Sequence, residues 1–423
     1  MRRRDGKVMR MARRRIVVTG SGVVSSIGAG VAEFWPRLVS GTLGIKRIEG
    51  IDQVYRSQLA CLLGPLAPEF STAPGTLDPA AALVLQGCAE ALEASRVDLA
   101  REYNPRRVGV SIGTSLGAIQ TYEYLDALWL KEGLDAIPPH LFYRFPAPQI
   151  ATNVCRKYGL NGPSSVVMTA CAAGAMAIGQ AVDWIRWGRC DAALTGGVDL
   201  FSMMSLSGFN SLHSLAPQRC QPFDKNRDGL MLGEAMAMMV LEEAEAAERR
   251  GAPILAEISG FGLSCDAEHM TIPAADGRGA AQAMQRALDD AGLKPQDIDY
   301  INAHGTGTGP NDRMETLAIK AVFGDWAKSL YVSSSKSMLG HTLGAAGAVE
   351  ALATLLAVVT DTIPPTANLE EPDPECDLNY VPNVGIQHRV RHALTNSFAF
   401  GGNNAALVFS KWRDGKAGGE QVA

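Results

Sequence analysis

Several features are missing from this sequence, and each absence excludes something. Its eight cysteines include no C-x-x-C pair. That spacing argues against a structural metal site and against a disulfide framework, and it fits a reduced, cytoplasmic protein better. No uninterrupted apolar run reaches the ~18–20 residues that cross a bilayer; the longest, around residues 351–359, reads as a core helix. There is no excess of basic residues: 39 Lys and Arg against 44 Asp and Glu leave a net charge of −5, which argues against a nucleic-acid partner. No apolar stretch follows the arginine runs Arg2-Arg3-Arg4 and Arg13-Arg14-Arg15 before the strand-like Ile16-Val17-Val18, so a signal peptide is not expected. The segment is short and serine-free for an organellar transit peptide. Residues 1–15 read as a basic, solvated tail, with Met9 or Met11 an alternative start.

What is present suits a large enzyme. Apolar residues make up 47% and charged residues 20% of the chain, enough to bury a substantial core. The length allows two or three ordinary domains or one double-lobed unit. One cysteine stands out. Ser164-Ser165-Val166-Val167 reads as a buried strand, Met168-Thr169-Ala170 as a small-residue corner, and residues 172–181 as a helix beginning beside Cys171. A thiol at a helix N-terminus faces unpaired N–H groups and the positive end of the helix dipole, which predicts an eased thiolate. A lone cysteine is nevertheless more often buried packing than a nucleophile.

Two of the seven histidines sit at comparable junctions. His304 lies in Asn302-Ala303-His304-Gly305-Thr306-Gly307-Thr308, after an apparent strand at 298–301. His341 closes Ser333-Ser334-Ser335-Lys336-Ser337-Met338-Leu339-Gly340-His341, just before an Ala/Gly-rich helix over 344–358. Each alone reads more readily as a hydrogen-bonded structural histidine. Together with Cys171 they make a Cys-His-His set, with Lys336 five residues before the second histidine.

The chain also resembles itself. Segments 108–117 and 298–307 are both strands entering Gly/Thr turns, 165–187 and 330–360 both strand, turn and small-residue helix, and 191–197 and 392–398 both strands following those helices. Such a repeat in fixed order predicts a duplicated α/β architecture with helix-covered mixed sheets.

These motifs carry a resemblance over residues 16–409. Thr169-Ala170-Cys171, Phe223-Asp224-Lys225-Asn226-Arg227-Asp228-Gly229 with Gly233-Glu234, His304-Gly305-Thr306-Gly307-Thr308, Lys336-Ser337-Met338-Leu339-Gly340-His341 and Asn396-Ser397-Phe398-Ala399-Phe400-Gly401-Gly402 occur in the order of the β-ketoacyl-acyl carrier protein synthases. The sequence resembles the elongating branch of these condensing enzymes. The resemblance implies a thiolase-like duplicated fold, two related halves in a five-layered αβαβα arrangement. It places an N-terminal half at 16–255, a C-terminal half at 256–411 and a short tail at 412–423.

It also implies site roles. Cys171 would carry the acyl chain; the backbone N–H groups of Cys171 and Phe400 would hold the oxyanion of acyl transfer. His304 and His341 would hold the malonyl thioester oxygen during decarboxylation. Lys336 would set the electrostatics and pair with Glu315, with Glu350 ordering the following helix and Asp312 as a further supporting residue. Thr306 and Thr308 would bond the pantetheine amides, although turn hydroxyls also bond their own backbone. Phe400 would gate two substrate tunnels, with Gly401 and Gly402 letting it swing, and Leu116 would line the acyl pocket; both also read as ordinary apolar residues. No metal and no cofactor is implied beyond the phosphopantetheine of the acyl carrier protein that brings the substrates.

A homodimer is implied, paired through residues 165–168, or a heterodimer with a chain-length-factor-like subunit. Because the carrier is acidic and this chain is net negative, docking is expected on a local basic patch, with Lys225, Arg227, Arg278 and Arg313 as candidates. Asn403 and Ala399 stand where the housekeeping pattern has Thr and Gly, which leaves a specialised polyene, polyketide or modified-lipid ketosynthase as the alternative to fatty-acid elongation. A thiolase is disfavoured because residues 396–404 hold no second cysteine, a starter-type enzyme because His341 replaces Asn, and a non-catalytic chain-length factor because Cys171 is present.

Overall fold

The computed structural model describes residues 13–412. Its main strands are β1 (Ile16–Ser25), β2 (Val108–Gly113), β3 (Ser164–Val167), β4 (Ala192–Asp199), β5 (Ala235–Glu243), β6 (Ala256–Cys265), β7 (Tyr300–Asn302), β8 (Tyr331–Ser333), β9 (His392–Phe398) and β10 (Asn403–Lys411). The helices that flank them are α1 (Pro79–Ser95), α2 (Pro148–Tyr158), α3 (Ala173–Arg186), α4 (Arg278–Ala291), α5 (Gly309–Phe323) and α6 (Ala346–Thr360). The strands form one eleven-stranded ladder, β8-β7-β9-β10-β6-β1-β5-β4-β2-β3, the short strand Gly28–Ala29 adding to β1.

The ladder is two sheets joined at one narrow contact, where β1 and β6 pair only through Val17↔Glu257 and Val18↔Ala256. Counting from its own first strand, each sheet has the order 3-2-4-5-1. In each, the second strand is parallel to the third and fourth, and the remaining pairings are antiparallel. The self-similar segments of the sequence therefore occupy matching places. Helices α1 and α2 cover the outer face of the first sheet, α4 and α5 that of the second, and α3 and α6 lie between the sheets. That is the five-layered αβαβα arrangement.

Burial follows from the layers. Strands covered on both faces need not alternate apolar with polar, and β1 is buried along its whole length. In the middle layer α6 is apolar nearly all round, because it meets protein on every side. The segment Leu343–Thr360 accordingly has the length and hydropathy of a membrane span, against the expectation that no apolar run is that long, but 89% of it is buried inside the protein. It is a core helix, as the sequence suggested.

The ends of the described chain are docked. Arg13 pairs with Asp290, Arg14 with Asp191 and Glu243, and Arg15 with Glu257, so these arginines tie to both halves. Trp412 is buried and packs under the Arg15 guanidinium. The rest of the basic segment, and the last residues of the chain, lie outside the described residues.

Candidate active site

The site forms where α3 and α6 cross between the sheets. After β3 the chain turns through Ala170, whose φ of 47° is uncommon for a residue with a Cβ. A single 3-10 turn, Ala170–Ala172, then leads into α3 and lifts Cys171 to the base of a cavity. The helices can cross closely because a Cβ on Gly174 would lie 2.6 Å from the backbone nitrogen of Ala348. That approach brings the second half's residues to Cys171. The cavity holds about 320 Å³, and Cys171, His304, His341, Thr306, Thr308 and Phe400 all line it.

His341 Nε2 lies 3.1 Å from Cys171 Sγ. On the other side of the ring, the Leu343 N–H donates to His341 Nδ1 at 3.2 Å. A neutral imidazole whose Nδ1 accepts must carry its proton on Nε2, so His341 presents an N–H to the sulfur. His304 is arranged in the same way: Lys336 Nζ lies 3.2 Å from His304 Nδ1, which leaves Nε2–H as the donor. The two rings meet edge to face at 5.4 Å between centroids. Burial, Lys336 and the neighbouring imidazole hold His304 well below the ordinary histidine value, and burial with Lys336 does the same for His341. Both rings are neutral donors at physiological pH.

The thiol does not behave as the helix N-terminus alone predicts. Burial pushes Cys171 up to about 11, although Lys336 and the backbone N–H groups of Phe400 and Cys171 itself pull the other way. The eased thiolate expected from the sequence is corrected here: removal from water outweighs the local positive potential. Those two N–H groups, the pair expected at the acyl oxyanion, do converge on the sulfur.

Lys336 is 1% exposed and forms its ion pair with Glu350, not with Glu315 as expected. Glu315 is already occupied, since it accepts the backbone N–H groups of His304 at 2.9 Å and Gly305 at 2.8 Å, and the Asn396 side-chain amide at 3.1 Å. It holds the histidine turn in place. Glu350 reaches out of the middle of α6's first turns to Lys336, and burial raises it to about 7 while Lys336 pulls it back. Its side chain serves the lysine rather than the helix. Asp312 supports the same turn: it accepts from Gly307 N–H at 3.2 Å and Phe223 N–H at 2.8 Å, which ties the Thr306 turn to the Phe223 loop.

Thr306 and Thr308 bond each other through their hydroxyls at 2.8 Å and face the cavity. Phe400 begins the turn Phe400–Gly402 and packs against Phe209 at 5.7 Å. Gly401 and Gly402 have φ of 81° and 75°, which side-chain-bearing residues rarely adopt. Leu116 does not line the cavity. It faces a neighbouring apolar hollow with Tyr122, Phe145, Met168 and Met204, and packs against an apolar cluster that includes the cavity residue Leu230.

Asp199, at the end of β4, was not singled out from the sequence. It accepts from Thr114 Oγ1 at 2.6 Å and from the N–H groups of Ser115, Leu116 and Gly344 at 2.7, 3.1 and 2.6 Å. It thus binds the Thr114 turn of the first half to the turn that follows His341. Burial raises its carboxyl to about 6 against these donors. Among the described residues no group of three or more His, Cys, Asp or Glu is placed to hold a metal ion.

A family model described as "Beta-ketoacyl synthase, N-terminal domain" matches residues 13–247, and one described as "Beta-ketoacyl synthase, C-terminal domain" matches residues 255–370. The chain belongs to the beta-ketoacyl synthase family. The 3-oxoacyl-[acyl-carrier-protein] synthase 2 of Synechocystis is 39% identical over 95% of this chain and 99% of its own length. That of Coxiella burnetii is also 39% identical, over the same shares of the two chains. Among solved structures, one titled "The ishigamide ketosynthase/chain length factor" superposes with a TM-score of 0.89 at 38% identity, covering 95% of this chain and 100% of its own. A type II polyketide synthase acyl-carrier protein in complex with its ketosynthase bound to the hexaketide gives 0.89 at 33%, with the same coverage. These matches agree with the fold and the acyltransferase class expected from the sequence.

Proposed function

We propose that this protein is a β-ketoacyl-[acyl-carrier-protein] synthase acting in fatty-acid elongation. The observation that supports it most is the paired arrangement of the histidines: each Nδ1 accepts a hydrogen bond, so each Nε2–H is free for the cavity that holds Cys171. A Cys-His pair built to make a thiolate would need the imidazole to accept the thiol proton. Here His341 can only donate, which suits an oxygen or sulfur gaining negative charge.

In the first half-reaction Cys171 Sγ attacks an acyl thioester on the carrier's phosphopantetheine. The C–S bond to the carrier breaks, and the cysteine proton passes to the departing pantetheine sulfur. The N–H groups of Cys171 and Phe400 stabilise the tetrahedral oxyanion. In the second, malonyl carrier loses carbon dioxide, and the electron pair released enters an enolate whose oxygen His304 and His341 hold. The enolate carbon attacks the acyl-cysteine carbonyl, and the Cys171 sulfur leaves with its electron pair, regaining a proton from solvent. Covalent catalysis divides the C–C bond formation into two accessible steps. The reading needs no resident cofactor, because phosphopantetheine arrives as substrate. Eight free cysteines fit a reducing cytoplasm.

A homodimer accompanies this reading. β3 is the edge of its sheet, paired only to β2, and beside it Met168 is 53% exposed while the helix Ile119–Glu132 exposes Tyr122 and Trp129. An open edge with apolar neighbours calls for a partner. The alternative is a specialised ketosynthase paired with a chain-length-factor subunit. It is favoured by Asn403 and Ala399 and by the likeness to the ishigamide ketosynthase/chain length factor at 38% identity, beside 39% for the 3-oxoacyl-[acyl-carrier-protein] synthase 2 relatives. Incubation with acyl-carrier thioester tests the main reading by intact-protein mass: an acyl adduct on Cys171, and none on Cys171→Ala, is expected. An adduct on another cysteine would falsify the assignment. Full condensing activity of the protein purified alone points to elongation; a requirement for a second, different chain points to the alternative.

A further inference from the structure

The opening of the cavity has little free positive charge. The segments that line it, residues 203–214, 266–273, 306–311 and 398–404, contain neither lysine nor arginine. Arg56 and Arg278, which bond to these segments, and Arg219, five residues after the first of them, are already engaged. Arg56 donates to the His213 carbonyl and pairs with Asp228; Arg278 pairs with Glu268 and Asp276; Arg219 pairs with Glu370. The docking residues suggested by the sequence fare no better. Arg227 is buried against Asp373, while Lys225 and Arg313 are held by Glu371 and Glu375. An acidic partner would meet a carboxylate beside each cation.

Exposed apolar side chains surround the opening instead. Leu212, Met270 and Ile272 line the cavity yet are 47%, 78% and 54% exposed, so they stand at its mouth. The position of Met270 is fixed relative to the site, since its carbonyl accepts the Gly401 N–H at 2.7 Å. A substrate on a flexible arm that reaches Thr306, Thr308 and Cys171 must leave its carrier seated on this mouth. Apolar exposure at the mouth of a site marks a contact surface, and the unbranched, polarisable methionine adapts to differently shaped partners.

We propose that the carrier protein docks on this apolar rim, centred on Leu212, Met270 and Ile272, and that the partner surface it fits is the apolar face around the phosphopantetheine attachment rather than an acidic patch. The inference rests on the condensing-enzyme reading and replaces the basic patch expected from the sequence. Steering by charge would make association strongly salt-dependent and sensitive to the sign of an added charge; apolar contact does neither.

The test follows acylation of Cys171 by hexanoyl-loaded acyl carrier protein and by hexanoyl-pantetheine. Between about 0.1 and 1 M salt, where the screening length falls from about 10 to about 3 Å, the carrier reaction should change by less than about threefold. Met270→Lys and Met270→Glu should both slow the carrier reaction, by at least about fivefold more than they slow the pantetheine reaction. Acceleration by Met270→Lys with slowing by Met270→Glu, a steep loss with salt, or equal losses for both donors would each overturn the rim. If wild-type Cys171 accepts hexanoyl from neither donor, the condensing-enzyme reading itself fails, and the rim with it.

Discussion

The two halves make the same corner from similar parts. In the first, β3 leads to the turn Ala170–Ala172 and then α3; in the second, β8 leads through the short helix Lys336–Leu339 to the turn Leu343–Ala345 and then α6. Each turn opens on a non-glycine residue of positive φ, Ala170 at 47° and Leu343 at 51°. Cys171 and Gly344 therefore occupy matching places, each three residues before a helix-crossing glycine. The match extends to those glycines: a Cβ on Gly174 would lie 2.6 Å from Ala348 N, and one on Gly347 would lie 2.6 Å from Ala175 N. At the first corner a side chain projects into the cavity. At the second there is no room, because a Cβ on Gly344 would lie 2.3 Å from Ser115 N and 2.5 Å from Thr114 C. The second half supplies its chemistry from Lys336 and His341, before the turn, and from His304, after β7. Duplication has kept the scaffold and divided the labour: a nucleophile from one half, neutral hydrogen-bond donors from the other.

That division predicts separable defects. Cys171→Ala should abolish condensation yet leave decarboxylation of malonyl carrier, since its oxyanion site belongs to the second half. His304→Ala should lower decarboxylation by about 10²–10³-fold, the effect of losing one preorganised donor, about 2.7–4 kcal/mol. Carbon dioxide release measured without an acyl donor checks both. Loss of decarboxylation in Cys171→Ala would show that the two corners act as one unit.

The protonation of the first corner gives the next contrast. With the thiol raised to about 11 and His341 unable to take its proton, the thiolate fraction should climb about tenfold per pH unit from pH 7 to pH 10. The rate of alkylation by iodoacetamide should follow it. A plateau beginning below pH 8 would instead reveal a thiolate–imidazolium pair.

A smaller effect tests the scaffold itself. Gly344→Ala should destabilise the protein by about 1–3 kcal/mol, because its methyl meets backbone rather than a side chain able to move aside. At the matching place Cys171→Ala should cost less, since it only shortens a side chain already accommodated. Denaturant midpoints decide, and equal stability of the two variants would break the correspondence.

Much of this was legible in the sequence, for a physical reason. Cys171, His304, His341 and the threonine pair lie in short contiguous motifs where a strand ends, and the internal repeat placed those strand ends in equivalent positions. Groups assembled from distant segments were not legible. Asp199 looks like any polar strand terminus; its role depends on donors from residues 114–116 and 344 that meet only in the fold. The lysine's partner was misread for a related reason, because sequence distance does not tell which carboxylate backbone amides have already claimed. A usable signal did exist: Glu350 is the lone charged residue in the apolar segment 343–360, and a buried carboxylate there needs a cation. Burial also explains the thiol, since a sequence displays a helix N-terminus but not the loss of water around it.

The finest contrast concerns hydroxyls on matching strand-end turns. Thr114, after β2, gives its hydroxyl to Asp199 at 2.6 Å, so it is consumed in tying the first half's turn to the second corner at Gly344. Thr306 and Thr308, after β7, bond only each other at 2.8 Å while lining the cavity. In such a pair one hydroxyl donates to the other, and the second proton remains available to a ligand. Thr308→Val should therefore raise KM for a pantetheine thioester by about 2–10-fold, equivalent to one net hydrogen bond of about 0.5–1.5 kcal/mol, with stability unchanged. Thr114→Val should show the reverse, leaving KM alone and lowering the unfolding midpoint, because a buried carboxylate loses one of its donors. Steady-state kinetics and denaturation on the two variants form a crossed comparison. If Thr308→Val lowered stability and left KM unmoved, its turn would be scaffold like the first, and the arm of the substrate would find its hydrogen bonds elsewhere.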